Sequence, residues 1–296
     1  MEFLSSYTQR HLLHYIEDFK HRFKVFMEII RWRHQIILMS YVIGGASLHI
    51  GGIKTINLIF ILIGSTACVL SVYMYNYLTD VKEDIINNKS NPAHTKEGRN
   101  KVKLFVLFSA LISLISGYLL NFASLLFLLG FLAIGYLYSA QNIRLKKYFF
   151  VKNISISIGW FFIFLFVCSS ITKSITLVDL VFAMFFCALS FTGSIVRDVM
   201  DMDGDKKAGI RTIPIVLGKK NTGYLFMIVS TIQYGATLIL AVLGYISSIY
   251  LYIIIAFPTA LILVYGILNN NYKLTTKSSL FSYPATSVIL LTQGII

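Results

Sequence analysis

Apolar runs free of Asp, Glu, Lys and Arg alternate with short polar stretches along almost the whole chain. The runs match a bilayer in length, since a helix needs about 20 apolar residues to cross roughly 30 Å of hydrocarbon. Nine stretches satisfy this and predict nine transmembrane helices, near Gln35 to Ile53, Thr55 to Leu78, Leu104 to Leu120, Phe122 to Ala140, Ile154 to Ile171, Leu180 to Val196, Thr222 to Leu243, Ser247 to Leu268 and Ser279 to Ile296. The third and fourth share one uncharged run, as do the seventh and eighth; Asn121 and Gly244 to Ser248 are the turns that divide them. Residues 1–34 form a separate polar segment rich in His and Arg, without the apolar centre of a cleavable signal peptide. It reads as a cytoplasmic, amphipathic helix lying on the membrane, followed by a single membrane domain over residues 35–296.

Composition agrees with an all-α membrane protein: 56% of residues are hydrophobic and 13% charged, against roughly 25% charged in a soluble domain. The net charge of +13 raises the question of nucleic acid, and the placement of the charges answers it. With the N-terminus inside, 24 of the 26 Lys and Arg residues fall on the cytoplasmic side, Lys54 and Lys173 being the exceptions. Such asymmetry is the positive-inside signature of a multi-pass protein. A basic soluble face for nucleic acid is missing, and basic loops against anionic membrane lipid account for the surplus. Of the 13 acidic residues, 12 share the cytoplasmic side, and Asp179 alone falls opposite. Cys68, Cys168 and Cys187 lie in apolar runs without metal-ligand spacing and read as packing residues.

The acidic residues carry the chemistry. The second span runs directly into Asn76, Asp80 and Asp84, spaced i, i+4, i+8 and so on one face of a continuing helix. The sixth span ends likewise in Asp198, Asp201 and Asp205, at i, i+3, i+7. Aligning Asp80 with Asp198 gives an offset of 118 residues, or four spans. That predicts two parallel four-helix halves plus a ninth helix, with the site where the repeats meet. Either cluster alone could be a solvated helix end; paired on one membrane side they repel unless a cation lies between them. Oxygen ligands of this kind select Mg2+, which binds carboxylates together with substrate phosphates. A diphosphate is the natural bridging ligand, with Mg2+ making it a better leaving group. Arg144, Lys146, Arg197, Lys206 and Arg211 are placed to hold its remaining oxygens. A calcium loop over Asp201 to Thr212 is excluded, because position 6 is Lys206 rather than Gly and position 12 is Thr212 rather than Glu.

The motifs Asn76-x-x-x-Asp80-x-x-x-Asp84, Tyr138-Ser-x-x-x-x-Arg144-Leu-Lys146 and Asp198-x-x-Asp201-x-x-Gly204-Asp205-x-x-x-Gly209-x-Arg211-Thr-x-Pro214-x-x-x-Gly218 resemble those of the UbiA-type intramembrane aromatic prenyltransferases. The resemblance implies a ring of nine helices around a central cavity open to lipid. It implies an enzyme that ionises a prenyl diphosphate and passes the allylic cation to an acceptor, here expected to be small and aromatic. Asn76, Asp80, Asp84, Asp198, Asp201 and Asp205 would be the metal and diphosphate ligands, with Arg144 and Lys146 on the basic loop. Arg31 and His34, at the opening of the first span, match positions that some members use for acceptor or phosphate contacts. Two positions depart from the pattern: Tyr77 stands where many members have Asp, and Asn91 before Pro92 where many have Arg.

The departures keep a UbiA-type terpene cyclase open as an alternative, in which the cation reacts within its own chain. A secondary transporter is a further alternative, weakened because transporters place ionisable groups near the bilayer midplane. The acceptor classes compatible with the sequence are a hydroxylated benzoate, a quinone precursor, a phenolic metabolite and a glycerol phosphate ether lipid.

Overall fold

The computed structural model describes residues 27, 31–86, 90–207 and 209–295, and within them every regular element is a helix. The chain separates into two compact units, Met1–Ile36 and Ile37–Ile296. In the first, Arg31 has a left-handed φ of 52° and its carbonyl accepts the His34 N–H at 2.8 Å, opening the helix α1, Trp32–Ser47. The amphipathic surface helix expected further upstream lies outside the described residues.

In the second unit α1 is followed by α2 (Thr55–Thr79), α3 (Val81–Ile86), α4 (Lys96–Leu120), α5 (Phe122–Ser139), α6 (Val151–Thr172), α7 (Leu177–Met200), α8 (Met202–Lys207), α9 (Ile213–Val242), α10 (Pro258–Leu268) and α11 (Tyr272–Ile295). Seven stretches are long and apolar enough to cross a membrane: α2, α4, α5, α6, α7, α9 and the continuous segment Ser248–Leu268. Two of the nine expected spans fall short of that measure. Helix α1 has 16 residues, and the apolar part of α11 is limited to Phe281–Thr292, because its first turns carry Lys273, Thr275 and Lys277 and Pro284 sits inside it.

Local chemistry explains the breaks. Asn121 ends α4 and starts α5, its Oδ1 accepting the Ser124 N–H at 2.9 Å, which satisfies one of the orphan donors of a helix start. Its amide reaches Ser169 O at 2.8 Å and ties this turn to α6. Helix α7 opens with a reciprocal capping box between Thr176 and Asp179. Helix α9 is interrupted at Gly218, whose φ of 76° and ψ of 160° belong to a region that only glycine occupies without strain.

Burial ranks the helices. In the apolar window of α6, 72% of residues are buried inside the protein, against 28% in α4 and in α5, so α6 is a central stave and α4 faces lipid along Leu104, Phe108, Leu111 and Ile115. The core is aromatic. Tyr41 of α1 lies 4.7 Å from Trp160 and 4.8 Å from Phe186, centroid to centroid, and Phe164 stacks on Phe186 at 4.9 Å. Several buried serines hydrogen-bond to their own helix, as Ser65 does to Ile61 O at 2.7 Å, which satisfies a hydroxyl in an apolar setting. Close helix approach uses glycine: a Cβ on Gly135 would stand 2.5 Å from Val72, so α5 seats against α2 only with glycine there.

Candidate active site

Both acidic motifs are built on the same backbone device. Helix α2 stops at Asp80, with φ −103° and ψ 8°, and resumes one residue later as the six-residue α3. Helix α7 stops at Asp201, with φ −90° and ψ 2°, and resumes as the six-residue α8. In each, backbone hydrogen bonds pass through the break: Asp80 N–H to Asn76 O at 2.9 Å and Asp84 N–H to Asp80 O at 2.8 Å, and Asp201 N–H to Arg197 O at 3.0 Å and Asp205 N–H to Asp201 O at 2.9 Å. The helical face predicted for each motif therefore survives the break. The register of the repeat differs from the expected one. Asp80 corresponds to Asp201 and Asp84 to Asp205, an offset of 121 rather than 118 residues. Under this register the partner of Asp198 is Tyr77, and both are buried, at 2% and 8% exposure. The position where the first motif lacks a carboxylate is thus the one where the second has its most buried carboxylate.

The first motif is held from three directions. Ser139 Oγ donates to Asn76 Oδ1 at 2.6 Å, so the asparagine presents its carbonyl oxygen inward. Lys146 Nζ donates to Asp80 Oδ1, Arg144 Nη2 stands 3.8 Å from the same oxygen, and Thr79 Oγ1 donates to it at 3.1 Å. Asn91 explains itself structurally: its Nδ2 donates to Asp84 Oδ2 at 2.7 Å and to Tyr77 O at 2.9 Å, while its Oδ1 accepts the Ala93 N–H at 2.7 Å. An arginine here could not accept that last bond.

The second motif is held from α6. Lys152 Nζ donates to Asp198 Oδ1 at 2.5 Å, Asn153 Nδ2 donates to Asp198 Oδ2 at 2.9 Å, and the same Nδ2 reaches Ser194 Oγ at 2.8 Å. Asp201 is exposed and Asp205 half-buried, while Lys206 and Arg211 are exposed beside them. Arg144 and Lys146, expected to hold diphosphate oxygens, stand on Asp80. Arg31 and His34 belong to the N-terminal unit.

One short segment serves both motifs. Between α5 and the first turn of α6, Arg144 and Lys146 reach Asp80 while Lys152 and Asn153 reach Asp198. Its backbone is held in uncommon conformations, with Arg144 at φ 47° and Phe150 at φ 67°; non-glycine residues there cost about 1–3 kcal/mol each and gather at functional sites. Sequence reasoning missed Lys152 and Asn153. They open an apolar span 46 and 45 residues from Asp198, a separation without periodic signal, and only their polarity at a helix start marked them.

The donor set is oxygen from one asparagine and five carboxylates, without sulfur or imidazole. That chemistry fits Mg2+, a hard cation that takes carboxylates and retains waters for exchange with phosphate. Lysines paired with the same carboxylates give a diphosphate arriving with Mg2+ ready cationic partners.

The architecture is that of an intramembrane transferase with paired acidic motifs, and comparison with known proteins gives the family. The UbiA prenyltransferase family matches residues 37–285, so the chain belongs to that family and is a prenyltransferase. It is 28% identical over 210 residues to the digeranylgeranylglyceryl phosphate synthase of Pyrococcus horikoshii, covering 68% of this chain and 72% of that protein. It is 28% identical over 218 residues to the enzyme of the same name from Methanosphaera stadtmanae, covering 70% and 75%. Among solved structures, a UbiA homolog from Archaeoglobus fulgidus bound to DMAPP and Mg2+ superposes with a TM-score of 0.74 at 19% identity, over 91% of this chain and 97% of that one. The small aromatic acceptor expected from the sequence finds no support in these relatives, whose name specifies a glyceryl phosphate.

Proposed function

We propose that the protein transfers a geranylgeranyl-type group from its diphosphate to a hydroxyl of a prenylated glyceryl phosphate, a lipid-like acceptor rather than an aromatic one. The observation that carries this reading is the duplicated helix break, Asp80 with Asp84 and Asp201 with Asp205, with the basic segment 144–153 attached to both motifs. The acceptor comes from the relatives' shared name. In this reading nine helices in two parallel four-helix halves plus one surround the cavity, and the acidic ends and N-terminus are cytoplasmic, where the basic residues gather.

Asn76, Asp80, Asp84, Asp198, Asp201 and Asp205 would hold Mg2+ beside the diphosphate. Bound there, the ion would neutralise charge on the leaving group. Lys146 and Arg144 turn from Asp80, and Lys152 from Asp198, toward diphosphate oxygens, with Lys206 and Arg211 at the exposed rim. The allylic C–O bond breaks with its electron pair on the diphosphate, the acceptor oxygen forms the new C–O bond, and the hydroxyl proton passes to solvent. Exclusion of bulk water by the aromatic core protects the allylic cation from hydrolysis, and ring faces stabilise it by roughly 0.5–2 kcal/mol each.

Purified protein given Mg2+, prenyl diphosphates of several lengths and an acceptor panel tests this. The expected product is a doubly prenylated glyceryl phosphate with stoichiometric diphosphate. Transfer to hydroxybenzoates alone would overturn the acceptor assignment, and a cyclic hydrocarbon formed without acceptor would establish the cyclase instead.

A further inference from the structure

At the end of the helices opposite the acidic motifs, three residues of different ligand chemistry converge. One ligand atom each from His49, Cys168 and Asp179 lies within 4.8 Å of the others. They come from three places in the chain: His49 just after α1, Cys168 in the last turns of α6, and Asp179 in the first turn of α7. Cys168 and Asp179 are fully buried, while the His49 side chain is 15% exposed. The trio is therefore shielded from lipid and reachable from one side.

We propose that His49, Cys168 and Asp179 form a binding site for a borderline-soft divalent transition metal of the Zn2+ class, separate from the oxygen-only site of the acidic motifs. Three observations point this way. The donor set of imidazole, thiol and carboxylate is one that Zn2+ accepts and Mg2+ does not. The carboxylate is already oriented: Asp179 Oδ2 accepts from Thr176 N–H at 2.8 Å and Thr176 Oγ1 at 2.9 Å, leaving Oδ1 directed at His49 Nε2, 2.6 Å away. Supporting bonds of this kind are what hold metal-ligating carboxylates in place. Space is preserved as well, because Gly45 lies over the thiol, and a Cβ there would stand 3.0 Å from Val167 and 3.5 Å from Cys168 Sγ.

Tetrahedral Zn2+ with bonds of about 2.0–2.3 Å separates its ligands by roughly 3.3–3.8 Å. The His49 and Asp179 atoms thus move apart by about 1 Å as the cation takes the place of the shared proton. Coordination releases the thiol proton to solvent, and the proton displaced from between His49 Nε2 and Asp179 passes to His49 Nδ1, so that the imidazole binds in its neutral form. Three protein ligands leave a fourth position, open to water on the His49 side. A bound ion would cross-link α1, α6 and α7 at this end.

Cobalt reports the thiolate directly. The full-length protein in detergent, stripped of metal and held in excess Mg2+ to mask oxygen-only sites, is titrated with Co2+. The expected result is one equivalent bound with a thiolate-to-cobalt charge-transfer band, bleached by one equivalent of Zn2+. The Cys68→Ala/Cys187→Ala double variant, whose sole thiol is Cys168, keeps the band, and Cys168→Ser loses it. His49→Gln lowers the affinity at least about 10-fold, and the melting temperature of the parent protein rises with the logarithm of free Zn2+ above Kd. No band in the folded parent protein, or a band lost from the double variant, overturns the site. In that case His49 and Asp179 act only as a hydrogen-bonded staple. Should Cys168→Ser fail to fold, the parent and the double variant still decide.

Discussion

At Asp80 a carboxylate that is 22% exposed meets Lys146, Arg144 and Thr79, whereas at Asp198 a carboxylate 3% exposed meets one lysine and one amide. The two motifs share a backbone break and a following six-residue helix, yet they distribute charge differently. In the first, a half-buried carboxylate stands at the break and the buried position is Tyr77. In the second, the break carries the exposed Asp201 and the buried position carries the charge. A buried charge is tolerated only when paired and hydrogen-bonded, which is why Asp198 has two dedicated partners at the start of α6. The lesson is that the carboxylates of one helical face sit in different settings: those at the breaks keep contact with solvent, and Asp198 is tied to the segment that carries the basic residues.

The largest effect tests the equivalence of the breaks. Asp80→Asn and Asp201→Asn are each expected to lower turnover by about 10³-fold or more with a melting temperature close to the parent's, since each removes charge that acts mainly in the transition state. Steady-state assays of diphosphate release check this, and activity above a tenth of the parent's in either variant would remove that residue from the metal site. Next comes Lys152→Met, which strands a buried carboxylate and should destabilise by about 3–5 kcal/mol. Lys146→Met should cost under about 1 kcal/mol, because Asp80 keeps Arg144 and partial solvent. Thermal denaturation of both variants sharpens the contrast, and equal losses would erase it.

Smaller effects probe the connecting loops. Asn91→Ala removes hydrogen bonds to Asp84 and Tyr77 O; a stability loss of about 1–2 kcal/mol is expected, with a several-fold higher KM for the prenyl diphosphate as Asp84 loosens. Gly218→Ala places a Cβ at φ 76° with no steric neighbour, so its cost is backbone strain alone, about 1–3 kcal/mol. Melting curves measure it.

Much of this was legible from sequence. The limits of α2, α5 and Ser248–Leu268 fall within a residue of the apolar runs, because solvation by lipid writes helix limits into composition. The turns at Asn121 and from Gly244 were readable for the same local reasons. The acidic faces were visible through helical spacing, but the repeat register was not: counting carboxylates pairs Asp80 with Asp198, and only backbone angles pair it with Asp201. Asn91 looked like a lost arginine and is a loop clamp, since hydrogen bonds across 7 and 14 residues leave no periodic trace. The meeting of His49, Cys168 and Asp179 was equally silent, as its members are separated by 119 and 11 positions in the chain.

The connection between α5 and α6 is where a protein engineer would ordinarily cut, since exposed interhelical loops accept nicks and insertions. Here the residues on either side of Tyr148 are fastened to different acidic motifs, Lys146 to Asp80 and Lys152 to Asp198. Splitting the chain at that point would leave two fragments each holding one acidic motif and one set of cations, joined no longer by a fixed span of chain. A reassembled pair of this kind would pack its helices and lose the spacing between its cationic arms, making this loop a poor site for fusion or circular permutation and a good ruler for the distance between the two motifs.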